Sequence, residues 1–190
     1  ATKSAKAWYH RLRSINGETC YVLITDPKSG ACLVSIRRDK TPPLNFFTHF
    51  ISAYSPSASH KTVRFDNGGE LGNNATVVNL FCKAGYEVEM TGADASNQNG
   101  LVERPHRTLA DGVRTMLHAA GLEPSFWPYD LRHFVYLYNQ VPHGNRPLPP
   151  VTICTGKRSN LSLLRVFGCR LYALPPQQRR SAKAVVDSRS

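Results

Sequence analysis

"RFDNGGEL", residues 64–71, decides how the chain is read. A short β-rich run, "KTVRF", reaches Asp66, and Asn67, Gly68 and Gly69 then break it. An acid at that point is either the opening of an Asx turn or a carboxylate projected from a sheet edge, where it can hold a metal ion. A second stretch, "NQNGLVERPHRTL" (97–109), carries Glu103 into a helical pattern, where an acid near the helix N-terminus is favoured by the dipole alone. The 36 residues between the two acids are room for one helix, one strand and a loop that returns the chain to the neighbouring sheet edge. The two acids carry weight only if they belong to one site.

Working outward, "CYVLITD" (20–26) and "ACLVSIR" (31–37) are β-rich runs joined by "DPKSG", which predicts a hairpin. "PLNFFTHFISAY" sets Leu44, Phe47, Phe50, Ile51 and Tyr54 at helical spacing. "NNATVVNLFCKAG" reads as a helix opened by Asn and closed by Gly85, and "YEVEM" as the strand after it. The polar "TGADASNQNG" reads as a loop, followed by a long helix from about Leu101 to Ala120 with Val102, Leu109, Val113, Met116, Leu117 and Ala120 as its apolar stripe. A further helix over Pro128–Gln140 buries Leu131, Phe134, Val135 and Tyr138. Phe126, Trp127, Tyr136 and Tyr138 are read as packing aromatics. Sheet first, helices interleaved and then stacked, implies a three-layer α/β or α+β domain.

The bulk composition narrows the class. With 190 residues, 41% hydrophobic and 19% charged, the chain suits one globular domain with a real core. It carries no apolar run of membrane-spanning length and no signal-peptide core at its start, so a soluble intracellular protein is expected. A net charge of +11 points to a polyanion, above all nucleic acid. The five cysteines are scattered, with no zinc spacing, and predict free thiols.

The chemistry that fits two acids on separate elements is oxygen ligation of Mg²⁺ or Mn²⁺, with no organic cofactor. Two such ions roughly 3.5–4 Å apart would serve phosphoryl transfer. Arg104, Arg107, Arg114 and His118 fall on one side of the long helix beside Glu103. That is either a solvated face or a DNA-binding one, and the charge balance favours DNA.

Taken together, "RFDNGGEL", "NQNGLVERPHRTL", "SFWPYDLRHFVYLYNQVP" and "LLRVFGCRLYAL" resemble the integrase catalytic core of copia-type LTR retrotransposons, a retroviral-type integrase, over about Asn16 to Ala173. The resemblance implies a ribonuclease-H-like fold, a mixed central sheet flanked by helices, and chemistry in which three acids bind two Mg²⁺ for DNA cleavage and strand transfer. Asp66 would be the second acid and Glu103 the third, both as catalytic and metal-binding residues. Asn99 and Gly100 would lie in a mobile loop at the DNA, alongside Arg104, Arg107 and Arg114. The partners implied are retroelement ends and target DNA, with no membrane and with homo-oligomerisation left open, in the nucleus or in a cytoplasmic particle. Residues 1–142 would form the core domain, 143–176 a Pro-rich connector and C-terminal block packed on it, and 177–190 a basic tail.

One departure stands against the pattern. The family's first acid lies on the first strand, yet residues 1–17 contain no Asp or Glu. Asp26 is better explained as the start of the "DPKSG" turn, and Glu18 is no better placed. The first strand is expected to pass Asp66 within Trp8–Leu12, with Arg11 as the preferred place of the missing acid and Tyr9 as the other. Activity would then be impaired. The alternatives are a catalytically inactive DNA-binding remnant and a two-carboxylate hydrolase that needs no metal.

Overall fold

The computed structural model describes residues 2–9, 13–54, 61–65, 71–90, 96–162 and 164–172, with backbone alone at 2–9, 53–54 and 96–103. Its sheet has five strands: β1 (Thr2–Tyr9), β2 (Cys20–Thr25), β3 (Cys32–Arg37), β4 (Lys61–Phe65) and β5 (Tyr86–Met90), in the order β3-β2-β1-β4-β5. β1, β2 and β3 pair antiparallel, whereas β4 joins β1 in parallel and β5 joins β4 in parallel. The parallel pairs require crossovers, supplied by α1 (Leu44–Tyr54) before β4 and α2 (Ala75–Lys83) before β5. After β5 come α3 (Ser96–Ala120), a 3₁₀ turn at Pro124–Phe126, α4 (Trp127–Gln140) and the short α5 (Pro150–Thr155).

Local chemistry explains the joints. The Asp26 carboxylate accepts from the Lys28 and Ser29 amides, both at 3.3 Å, and from the Ser29 hydroxyl at 2.7 Å. Those bonds close the β2–β3 hairpin, so Asp26 is a turn residue. Asn74 caps α2 by accepting from the Thr76 and Val77 amides, and Gly85, with φ +79°, ends it in a conformation that costs other residues.

Strand alternation sends side chains to two cores. Val22, Ile24, Val63 and Phe65 meet Phe47 and Phe50 of α1 and Val77 and Phe81 of α2 on one face. On the other face, Tyr21, Leu23 and Cys32 meet Leu109, Val113 and Leu117 of α3 and Trp127, Leu131 and Val135 of α4. This is the expected three-layer α/β architecture, a mixed sheet with helices on both faces. Trp127 is fully packed, and Phe126 and Tyr138 border the second core, whereas Tyr136 is exposed.

Three boundaries differ from the sequence reading. β1 spans Thr2–Tyr9, and its described pairing with β4 lies at Thr2–Ala5, ahead of the Trp8–Leu12 stretch expected to pass Asp66. α3 starts at Ser96, five residues before Leu101, because Ser, Asn and Gln cost a helix only tenths of a kcal/mol and one Gly about 1 kcal/mol. The Pro-rich connector contains α5, whose first residue is Pro150, where a missing N–H costs nothing. That connector is fastened to the hairpin by Arg146, which donates to the carbonyls of Pro27 (2.7 Å) and Lys28 (3.2 Å). Further on, Phe167 packs on the second core, while Leu171 and Tyr172 remain exposed. The tail, 177–190, lies outside the described residues.

Candidate metal and nucleic-acid site

Asp66 lies outside the described residues, and so does the side chain of Glu103. The elements that carry them are described. β4 ends at Phe65, one residue before Asp66, and Phe65 pairs with Ala5 of β1. Val63 and Phe65 belong to the α1/α2 core, so Thr62 and Arg64 belong to the opposite face, the one that α3 covers. Their β1 partners, Thr2 and Ser4, share that face, and position 6, paired with Leu23 of the α3/α4 core, continues it.

α3 touches both β1 and β2 and is held there by a buried stripe of His106, Leu109, Val113 and Leu117. The hydroxyl of Tyr21 on β2 lies 3.1 Å from Nδ1 of His106. Burial pushes the Tyr21 phenol well above its usual range, with a smaller contribution from Cys32, so the neutral hydroxyl can donate to that ring nitrogen. His106 went unremarked in the sequence analysis, although its spacing to Leu109, Val113 and Leu117 is that of the apolar stripe. Glu103 sits three residues earlier, in the third turn of α3 and not the first. Asn99 and Gly100 sit in the helix as well, which corrects their placement in a loop.

On the side of α3 away from the stripe, Arg104, Arg107, Asp111, Arg114 and His118 are exposed. Arg114 is held by Asp111 at 3.0 Å, an i,i+3 ion pair in the middle of the basic row. The basic side expected of this helix is therefore present, with one acid in it. Nearer the sheet edge, Arg64 binds Glu89 of β5 through two nitrogens, at 2.7 and 3.0 Å.

Among the described residues, the donor set does not fit a pair of divalent ions. β1 reads "TKSAKAWY" and supplies no carboxylate. Asp26 is committed to its turn, and Glu18 accepts from the Ser14 hydroxyl, the largest influence holding its carboxyl below the usual range. Glu89 is the acid nearest the site on β5, and Arg64 occupies it. The places proposed for a missing acid are corrected by the register. Tyr9 pairs with Cys20 and falls on the α1/α2 face, four positions beyond the last described β1–β4 pair, and Arg11 lies outside the described residues. Proximity to "SINGE" misplaced that acid because, among the described residues, β1 meets β4 over Thr2–Ala5.

Comparison with known proteins agrees with this fold. The chain is 31% identical, over 90% of its length, to the retrovirus-related Pol polyprotein from transposon TNT 1-94 of Nicotiana tabacum. It is 27% identical over 87% of its length to that from transposon RE2 of Arabidopsis thaliana. It spans only 13% and 11% of those two proteins. Among solved structures, the catalytic core domain of BIV integrase superposes with a TM-score of 0.61 at 16% identity, over 82% of this chain and 93% of that one. No protein-family model matches.

Proposed function

We propose that this chain, an integrase-core domain from a retrotransposon Pol polyprotein, binds duplex DNA through α3 and the adjoining sheet edge, and that its phosphodiester chemistry is impaired. The observation that carries the DNA reading is the exposed row of Arg104, Arg107, Arg114 and His118, which begins one residue after Glu103. Such a row opposite a buried stripe offers phosphate contacts without disturbing the core. The net charge of +11 supports it over the whole domain. Retroelement ends and target DNA are the substrates this reading assigns, and the two later sequence blocks following Glu103 support the copia type.

Asp66 and Glu103 are the acids we assign to ion binding, and hard carboxylate oxygens suit Mg²⁺ or Mn²⁺. Two carboxylates leave a two-ion site short of charge, so the reading favoured here is DNA binding with weak or absent cleavage and strand transfer. Fluorescence anisotropy with a short duplex, measured across a salt series, tests it. Log K should fall with log[salt] by about 0.9 for each phosphate neutralised. Absent binding at low salt, or binding indifferent to salt, would remove the proposal.

A further inference from the structure

We infer that position 6 is the place on β1 from which a third carboxylate would have to come, so that the chain has a lysine there where a pair of metal ions would need an acid. The inference rests on the assignment of Asp66 and Glu103 made above, and it adds the residue responsible for the mismatch. Three observations converge on position 6. The last described pair between β1 and β4 is Ala5 with Phe65, and the next residues in the chain are Lys6 and Asp66. Position 6 pairs with Leu23, whose side chain belongs to the α3/α4 core, so the position lies on the sheet face that α3 covers. α3, which carries Glu103, packs against β1. No other position of β1 meets all three conditions. Ser4 lies one pair short of the end of β4, and Ala5 and Ala7 alternate to the other face.

The consequence is electrostatic. A divalent ion held between Asp66 and Glu103 would meet a like charge from Lys6, and a second ion would lack its third acid. Arg64, on the same face, adds a second cation, one already paired with Glu89. The charge that two metal ions would bring to a DNA phosphate is therefore supplied in part by the chain itself. Lysine serves as a point charge for phosphate without needing fork geometry. DNA binding by this domain should then be independent of divalent metal.

Calorimetric titration of the chain with Mn²⁺, beside its Lys6→Asp, Lys6→Met and Tyr9→Asp variants, tests this. The unmodified chain should bind weakly and with no more than one ion. Lys6→Asp should bind roughly tenfold tighter or gain a second site, and Lys6→Met should gain less, by losing repulsion alone. Tyr9→Asp, on the opposite face, should gain nothing. A thermal melt of each variant identifies a misfolded one, and Lys6→Met keeps the test decisive should Lys6→Asp fail to fold. Tight two-ion binding by the unmodified chain would overturn the inference, and its loss in a Glu89→Gln variant would assign the third acid to β5. No gain in either folded Lys6 variant would overturn it too. Anisotropy with duplex DNA in EDTA and in Mn²⁺ separates the two proposals. Unchanged affinity supports the inference, affinity that requires Mn²⁺ overturns it, and no binding in either condition overturns the DNA reading while the titration still stands.

Discussion

The hydroxyl of Tyr21 and Nδ1 of His106 stand 3.1 Å apart in the buried seam between β2 and α3. The contact ties α3 to β2 three residues beyond Glu103. Tyr21→Phe removes the partner of a buried ring nitrogen and should cost about 1–3 kcal/mol. His106→Leu should cost less in the Tyr21→Phe background than alone, because the contact between the two is already lost. Urea denaturation of the two single variants and the double variant checks this, and strictly additive losses would show that the contact carries no coupling.

Asp130, in the first turn of α4, is fully buried, and neither carboxylate oxygen has a hydrogen-bond partner of good geometry among the described residues. Burial pushes its carboxyl up to about 7, with the Leu117 backbone pulling weakly the other way. A folded pKa above the unfolded value means that the native state binds the extra proton, so stability falls as pH rises from about 4 to about 7 and levels off above. Asp130→Asn should therefore leave the protein nearly unchanged at pH 5 and stabilise it at pH 8. Thermal melts of both proteins at the two values check this. Parallel pH profiles would mean that the carboxyl titrates normally.

Gly112 of α3 faces Phe134 of α4. A Cβ there would lie 2.2 Å from Cε2 and Cζ of Phe134, whose ring packs on the second core. Ala is a better helix former than Gly by about 1 kcal/mol, but overpacking a seam costs about 1–3 kcal/mol. The clash should win, so Gly112→Ala lowers the melting temperature. Adding Phe134→Leu should restore part of the loss. A stabilised Gly112→Ala would show that the ring moves aside freely.

The parts of this molecule that were legible in the sequence are those set by local periodicity. Alternating β-branched residues mark β2 and β3, Asp26 and Gly30 mark their turn, and 3–4 spacing marks the buried faces of α1, α3 and α4. The fold class followed because each of those faces needs a sheet to bury against. Register was not legible. Whether position 6, 9 or 11 of the first strand meets the end of β4 depends on long-range pairing, and an error in register of odd length turns the residue to the other face. The start of α3 was missed for a related reason. Asn and Gly raise the odds of a loop without forbidding a helix, and Pro105, inside the helix, lies where a sequence reading expects a boundary.

Asp111 sets the last prediction, because it stands inside the basic row of α3 and holds Arg114 at 3.0 Å. Both side chains are largely exposed, at 77% for Arg114 and 60% for Asp111, so the pair contributes little to folding. Its effect falls on DNA. Arg114 must leave Asp111 to meet a phosphate, whereas Arg107 forms no ion pair with an acid among the described residues. Arg107→Ala should therefore reduce the salt slope by about 0.9, one phosphate contact, and Arg114→Ala by less. Asp111→Asn should act in the opposite sense, raising affinity at every salt concentration by freeing Arg114 and removing a charge that repels the backbone. Anisotropy titrations of the three variants on one duplex decide it. Equal losses from Arg107→Ala and Arg114→Ala, together with no gain in Asp111→Asn, would mean that DNA does not lie along this side of α3.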